Sequence, residues 1–413
     1  MRITIVGAGV IGLCCAYYLN KEGYEVTVID RSDITDGCSF GNMGYISPSH
    51  FTPLASPGIV RQGLKWMLSS SSPFYIKPRL NWDLVRWGME FWRNSNAAQV
   101  NNSIPHLNNL LQLSRELMND FRQELNGSFA MIEKGCWMLY RNPATGEHEK
   151  HLADQANQLG LKTVICTGAE VQQYESDVEV NVAGGILYLD DCHISASEFM
   201  HALHSALRKA GVKFLLNTEV KGFLKNHSIT AVLTKGESVE TDEVVIANGS
   251  WMPQLAKLLG IRLLMQPGKG YSIMYNSLEK NLHYPSILVD DRTATTPIND
   301  WLRIGGTMEL SGHSNTILPN RVMALYNAFK KYYPALPIIP PTIEKAWYGY
   351  RPVTPDGLPY IGRHAKFSNL TFAGGHAMLG VSAAAGTGKL VNQIISRRPL
   401  SFDISAFGTG RFL

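Results

Sequence analysis

The stretch Gly7-Ala8-Gly9-Val10-Ile11-Gly12, with Asp30 eighteen positions beyond Gly12, has the residue types and spacing to hold a pyrophosphate and a ribose. Gly7 permits a tight turn, Gly9 lets the backbone approach phosphate oxygens, and Gly12 lets a helix lie close on a strand. Asp30 can accept hydrogen bonds from a ribose diol. Far along the chain, Arg351 stands in Trp347-Tyr348-Gly349-Tyr350-Arg351-Pro352-Val353-Thr354-Pro355-Asp356-Gly357. A guanidinium held among aromatics and prolines suits bidentate clamping of a carboxylate. Pro267-Gly268-Lys269-Gly270-Tyr271-Ser272 is a turn into a strand and offers Tyr271 as a hydrogen-bonding group. Ala373-Gly374-Gly375-His376-Ala377-Met378-Leu379-Gly380 is a second glycine-rich turn between strand and helix.

Each of the later three has a plainer alternative. Strand tyrosines are commonly buried for packing alone. A loop arginine is commonly solvated or paired structurally, and a glycine-rich turn is commonly just a connection. Other patterns can be set aside. Gly388-Lys389 lies in a glycine-rich stretch, but Leu390 replaces the Ser or Thr of a P-loop and residue 383 is alanine. His201 and His204 share a helix face without a third ligand nearby in sequence, so no metal site is expected. Hydrolytic Ser-His-Asp machinery has left no local signature.

The elements around the first motif raise it above chance. Arg2–Val6 reads as a short apolar strand, residues 13–19 as a buried helix, and Glu25–Ile29 as a second strand ending on Asp30. The helix start adds unpaired N–H groups and the positive end of a dipole. Lys21-Glu22 stand where a signal peptide would carry small residues for cleavage, so the run is read as the start of the fold. Residues 31–49 form a Gly- and Ser-rich loop able to line a ligand, with Ser39 and Asn42 as polar contacts.

Residues 105–125 read as an amphipathic helix, 136–140 as a strand, 148–159 as a helix and 161–165 as a strand. Ser195-Ala196-Ser197-Glu198 is a capping box opening a helix to about residue 210. Strands follow at 212–216 and 244–247, the latter meeting the Asn248-Gly249 turn. This middle part reads as a return to the nucleotide domain. Strands at 271–275, 286–289 and 302–305 suggest antiparallel sheet, with one helix at 320–332 stopped by Pro334. A strand at 370–373 and a helix from about 380 to 396 close the pattern. The expected fold is α/β. A Rossmann-type dinucleotide-binding domain (residues 1–50, 145–262 and 346–413) is interleaved with an α+β substrate domain (residues 51–144 and 263–345) built on antiparallel sheet.

A chain of 413 residues, 45% hydrophobic and 17% charged, has room for two domains with a sizeable core. A net charge of +4, without a basic cluster, argues against a nucleic-acid partner. Six cysteines without CxxC spacing read as reduced, mostly buried thiols of a cytoplasmic protein. Between residues 59 and 93, Trp66, Trp82, Trp87 and Trp92 alternate with Arg and Lys, a composition that suits peripheral contact with the inner face of the plasma membrane. The stronger alternative is internal packing, because Leu84, Trp87, Gly88 and Phe91 fall on one helical stripe.

In order, these stretches resemble the D-amino acid oxidase-like family of FAD-dependent amine oxidoreductases, and most of all its bacterial D-amino acid dehydrogenase branch. The likeness runs from residue 1 to about 400. It rests on Cys38-Ser39-Phe40-Gly41-Asn42-Met43-Gly44-Tyr45-Ile46-Ser47-Pro48, Lys269-Gly270-Tyr271-Ser272, Arg351 to Gly357, and Gly375-His376 through Gly380. Residues 356–363 also look like glycine oxidase.

The resemblance implies that Gly7, Ala8, Gly9, Val10, Ile11, Gly12, Asp30 and Arg31 surround the ADP half of FAD, with Val220 near the adenine and Asn248 and Gly249 as further contacts. It implies that Ser39, Asn42, Met43, Gly44 and Ile46 line the stretch from pyrophosphate to flavin. Gly375, His376, Met378, Leu379 and Gly380 would meet the isoalloxazine, where a helix start places its positive end near the N1–C2=O edge. Arg351 matches the arginine that holds the substrate carboxylate; Tyr271, able to hydrogen-bond a substrate, is the second catalytic candidate. Covalent-flavin members carry a cysteine near that arginine; none follows Cys192 here, so non-covalent FAD is expected.

The implied reaction is oxidative deamination of a D-amino acid, or of a D-imino acid such as a D-proline derivative. Hydride passes from Cα to flavin N5, the imine hydrolyses to a 2-oxo acid, and the electrons leave to a quinone-type acceptor. The alternative is a glycine- or sarcosine-type amine oxidase that passes electrons to oxygen. A flavin domain serving RNA modification, or a structural flavin, is a third reading; the mild charge counts against RNA.

Overall fold

A computed structural model of the chain describes residues 1–66 and 74–412. The Trp66 side chain, one of the aromatics singled out above, lies outside the described part.

The first sheet has six strands in the order Lys213–Leu215, Glu25–Ile29, Arg2–Val6, Glu243–Ile246, Leu370–Gly374 and Tyr360–Arg363. The first five are parallel and the last is antiparallel. Arg2–Val6 lies centrally, and four of its five residues are buried, as a strand covered on both faces requires. The helix Val10–Lys21 buries nine of its twelve residues against this sheet and the helix Ala384–Ile395. A β-carbon at Gly12 would stand 1.8 Å from the Gly7 carbonyl oxygen, so glycine sets the spacing of helix and turn.

The second sheet has nine strands, most of them antiparallel. Its main path runs Ala346–Val353, Gln266–Tyr275, Trp301–Leu310, Thr293–Ile298, Ser286–Leu288, Cys136–Tyr140, Gly184–Tyr188 and Thr163–Thr167, and Phe74–Ile76 adds to Trp301–Leu310. The helix Pro319–Tyr332 covers it with Val322, Leu325 and Phe329. In the pairing of Gln266–Tyr275 with Ala346–Val353, Gly268 faces Arg351 and Gly270 faces Gly349.

Three expectations are corrected. Thr163–Thr167 and Gly184–Tyr188, counted above with the nucleotide domain, pair with Cys136–Tyr140 in the second sheet. Their apolar pattern identifies strands but not the sheet they join. The helix expected at 105–125 is Ala97–Glu124, begun by Asn96, whose side chain accepts the Gln99 N–H; Pro105 sits inside it. The last helix starts at Ala384, after a turn that occupies residues 380–383.

The aromatic stretch packs internally on one side and leaves the other side exposed. In the helix Trp82–Asn94, Trp87 is buried, donates its indole N–H to the Val353 carbonyl at 2.8 Å, and packs with Leu84 and Phe91. Trp82, Val85, Met89 and Trp92 stand exposed on the other side. Among the described residues no helix is long and apolar enough to cross a membrane.

Candidate active site

One cavity of about 1300 Å³ is bounded by the carboxyl ends of the first sheet's strands and one face of the second sheet. At its nucleotide end Gly7 has φ +117°, and a β-carbon there would lie 2.6 Å from the Ala247 backbone. Gly9 faces open space apart from Ser39 Oγ, 3.4 Å from where its β-carbon would be. Val10 donates its N–H to Ser39 Oγ at 3.2 Å, joining the helix start to the following loop. Asp30 accepts the Ala8 N–H at 2.6 Å and the Ser32 N–H at 3.0 Å. Burial raises its carboxyl, and these donors oppose the rise. Arg31 lies over Trp251, 3.8 Å from the ring centre. Val220, Asn248 and Gly249 complete this end, and the buried Asn248 Oδ1 has no hydrogen-bond partner among the described residues.

Residues 38–47 then cross the second sheet. Ser39, Asn42, Met43, Tyr45 and Ser47 face the cavity, whereas Gly44 and Ile46 do not. Strand alternation turns those two toward Cys192–Ile194. A β-carbon on Gly44 would meet the Ile194 carbonyl oxygen at 1.9 Å. The loop is pinned: the Asn42 carbonyl accepts from Arg303 Nη1 at 2.5 Å, Asn42 Oδ1 accepts the Gly44 N–H at 2.8 Å, and Met43 Sδ lies over Gly305. Gly41 and Gly349 leave room for the Trp347 ring, 2.3 Å from where either β-carbon would stand.

The second glycine-rich turn brings His376, Met378, Leu379 and Gly380 to the cavity. Gly375 makes the turn itself, at φ +83° and against Thr354. His376 Nε2 is 2.9 Å from Thr387 Oγ1, and burial pulls its imidazole down to about 3, so the ring is neutral.

Arg351 points across Gly270, and its Nη1 donates to the Thr307 carbonyl at 2.6 Å. Burial pulls the guanidinium down to about 10, which leaves it cationic at neutral pH. Among the described residues no carboxylate pairs with it. The nearby acid Glu309 is already taken: it accepts the Tyr271 hydroxyl at 2.7 Å and lies 3.7 Å from Lys269 Nζ, which also donates to the Thr316 carbonyl at 2.7 Å. Tyr271 is in the cavity wall, but its proton is committed to Glu309; only its oxygen can accept from a ligand. Sequence reasoning did not find Thr307 or Glu309. They lie in no motif and meet Arg351 and Tyr271 only through the strand Trp301–Leu310.

A βαβ cradle and a half-buried guanidinium without a carboxylate partner among the described residues share one cavity, and the cradle marks a dinucleotide-binding protein. The family model described as FAD dependent oxidoreductase matches residues 2–394, and the chain belongs to that family. It is 32% identical to D-amino acid dehydrogenase of Granulibacter bethesdensis over 420 residues, covering 100% of both chains. Its fold is that of glycine oxidase from Geobacillus kaustophilus (TM-score 0.81, 23% identity, 99% of each chain). L-proline dehydrogenase from P. horikoshii is also similar (TM-score 0.79, 21% identity, 100% of this chain and 97% of the other). FAD fits the residues present: the open approach at Gly9, the acceptors of Asp30 and Asn248, and a cavity long enough to reach from them to His376 and Arg351.

Proposed function

We propose that this protein oxidises the Cα–N bond of a D-amino acid, or of a D-imino acid such as a D-proline derivative, and passes the electrons to a quinone-type acceptor. The observation that carries the reading is Arg351, a half-buried cation without a carboxylate partner among the described residues, in the cavity that begins at the dinucleotide cradle. A desolvated charge facing a cavity is stabilised by a counter-ion, and a substrate carboxylate supplies one in bidentate geometry. The name of the Granulibacter relative supports the D-amino acid class.

When bound, FAD supplies a two-electron acceptor for the substrate's Cα–H. The chain's own residues bind and orient. Arg351 holds the carboxylate while Thr307 fixes one edge of the guanidinium. The Tyr271 oxygen, with its proton turned to Glu309, accepts from the substrate's amine. Met43 and Trp347, each seated over glycine, wall the site. FAD is held non-covalently: Cys38, the cysteine in the cavity wall, is pushed up to about 11 by burial despite Arg351, so its thiol stays protonated and a poor nucleophile. The exposed Trp82, Val85, Met89 and Trp92, with the exposed Arg86 in the same helix, give a peripheral membrane contact from which a quinone could be reached.

The test is anaerobic spectroscopy of the purified flavoprotein with D- and L-amino acids, D-proline, hydroxyproline isomers, glycine and sarcosine. Bleaching by D-amino or D-imino acids, with slow reoxidation in air and fast reoxidation by a quinone, is the expected result. Bleaching by glycine or sarcosine alone, with prompt peroxide release in air, would replace the reading with an amine oxidase.

A further inference from the structure

Beyond Ile46 the chain carries three polar groups that the reaction above does not use. Asp191, 1% exposed, precedes the strand Cys192–Ile194. It accepts the Ser49 N–H at 3.1 Å and the Ser49 hydroxyl at 2.6 Å. Ser49 Oγ is in turn 3.0 Å from His50 Nδ1. Ser49 and His50 line the same cavity as Arg351, whereas Asp191 lies behind them.

The directions of these bonds follow from proton counting. Ser49 has one hydroxyl proton, and the short contact to the carboxylate takes it. His50 Nδ1 must then donate to Ser49 Oγ, which leaves Nε2 with its lone pair. His50 Nε2 has no hydrogen-bond partner among the described residues. The ring therefore presents an acceptor to the cavity, backed by a hydroxyl and a buried carboxylate.

We propose that His50, Ser49 and Asp191 form a proton relay that takes the ammonium proton of the bound substrate into the protein interior, a step that rests on the amine-oxidation reading above. The substrate N–H bond breaks as His50 Nε2–H forms. The Nδ1 proton passes to Ser49 Oγ as the Ser49 hydroxyl proton passes to Asp191 Oδ2. The products are a neutral amine, a neutral imidazole in its other tautomer and a neutral carboxylic acid. No histidine cation is left in the buried site.

The electrostatics agree. Burial pulls the His50 imidazole down to about 4 and pushes the Asp191 carboxyl up to about 7, so the ring stays neutral while the acid can take a proton near neutral pH. Asp190 pushes Asp191 in the same direction as burial. Cys136, Cys192 and Tyr188 also face Asp191, and burial keeps each of them protonated. Arg115 is held at the Asp190 carbonyl. His50 is the group that meets the substrate's proton, Ser49 passes a proton on, and Asp191 is the final acceptor, acting through the other two.

Two measurements test the relay. The first is 15N NMR of the histidine-labelled holoenzyme without substrate, with the signal assigned by His50→Asn. The expected result is a neutral ring that changes from the Nδ1–H to the Nε2–H tautomer as pH falls through about 7, and that loses this transition in Ser49→Ala. A ring that keeps one tautomer from about pH 5 to 9, or that titrates as a cation near its ordinary value of about 6.5, overturns the relay. The second is the limiting rate of anaerobic flavin bleaching. Ser49→Ala and Asp191→Asn should slow it at least ~10-fold at pH 7 with substrate affinity within ~3-fold. The loss should vanish near the substrate amine's own pKa, and Ser49→Thr, which keeps the hydroxyl, should restore the rate. A loss equal at all pH values assigns these residues a structural role and overturns the relay. If no amine bleaches the wild-type protein, the amine-oxidation reading fails and the relay's task with it, whereas a fixed tautomer removes the relay alone.

Discussion

Gly270 and Arg351 share one space: a β-carbon on Gly270 would lie 2.1 Å from Arg351 Nη1. The glycine is the slot in which the guanidinium rests. Because the colliding atoms are the free end of a long side chain, Gly270→Ala should move the guanidinium and leave the fold in place. The expected outcome is a KM for the amino acid raised ~10- to 100-fold, with flavin content and Tm near wild type. Arg351→Ala should raise KM at least as far while FAD remains bound. If Arg351→Ala leaves KM within ~3-fold of wild type, less than ~1 kcal/mol, the carboxylate role is lost. Steady-state kinetics with a soluble acceptor checks both.

Gly9 and Gly12 separate phosphate approach from packing. At Gly12 the added carbon would strike backbone at 1.8 Å, so Gly12→Ala should destabilise the protein with or without FAD. At Gly9 the nearest atom is Ser39 Oγ at 3.4 Å, an ordinary contact. Gly9→Ala should leave the apoprotein's Tm unchanged and weaken FAD binding at least ~10-fold, ~1.4 kcal/mol. Flavin titration and thermal unfolding of the apoproteins distinguish the two.

Glu149 gives a pH signature. It is buried in the helix Pro143–Gln158, and desolvation pushes its carboxyl up to about 7, against the pull of Arg292. The folded chain therefore keeps a proton that the unfolded chain loses near its ordinary value of about 4.5. Stability from this group is full below about pH 4.5 and is lost as pH rises through about 7. Glu149→Gln should remove the loss, worth at most ~3 kcal/mol. The variant should gain in Tm on wild type between pH 5 and 8, measured by calorimetry of the holoenzymes.

The exposed face of Trp82–Asn94 provides a separate test. Trp82→Ser with Trp92→Ser should reduce sedimentation with anionic vesicles at least ~5-fold while catalysis with a soluble acceptor is retained. Equal sedimentation of variant and wild type would remove this face from membrane contact.

What could be read from the sequence was what is local. Gly7 to Gly12 and Asp30 lie within one strand–helix–strand unit, so spacing alone located them, and Arg351 carried its own aromatic and proline setting. The resemblance groups Gly44 and Ile46 with Met43 as one continuous lining, but residues 45–46 pair as a strand, and Gly44 and Ile46 do not face the cavity. Thr307 beside Arg351 and Glu309 beside Tyr271 were not legible, because these neighbours arise from sheet register between segments with no sequence motif in common. The Ser49–Asp191 bond spans 142 positions for the same reason.

The order of strands in the first sheet also bears on how the protein is made. Arg2–Val6 takes its neighbour on one side from residues 243–246, and the next strand from residues 370–374. During synthesis on the ribosome, at roughly 5–20 residues per second, the amino-terminal unit therefore waits about 20 to 70 s before that side of its sheet can be completed. Through that interval the open edge of the sheet, first Arg2–Val6 and then Glu243–Ile246, is an exposed template for wrong partners. Nascent chains of this protein should consequently be strong clients of chaperones that act while translation continues, and truncations before residue 370 should aggregate rather than yield a free nucleotide-binding unit.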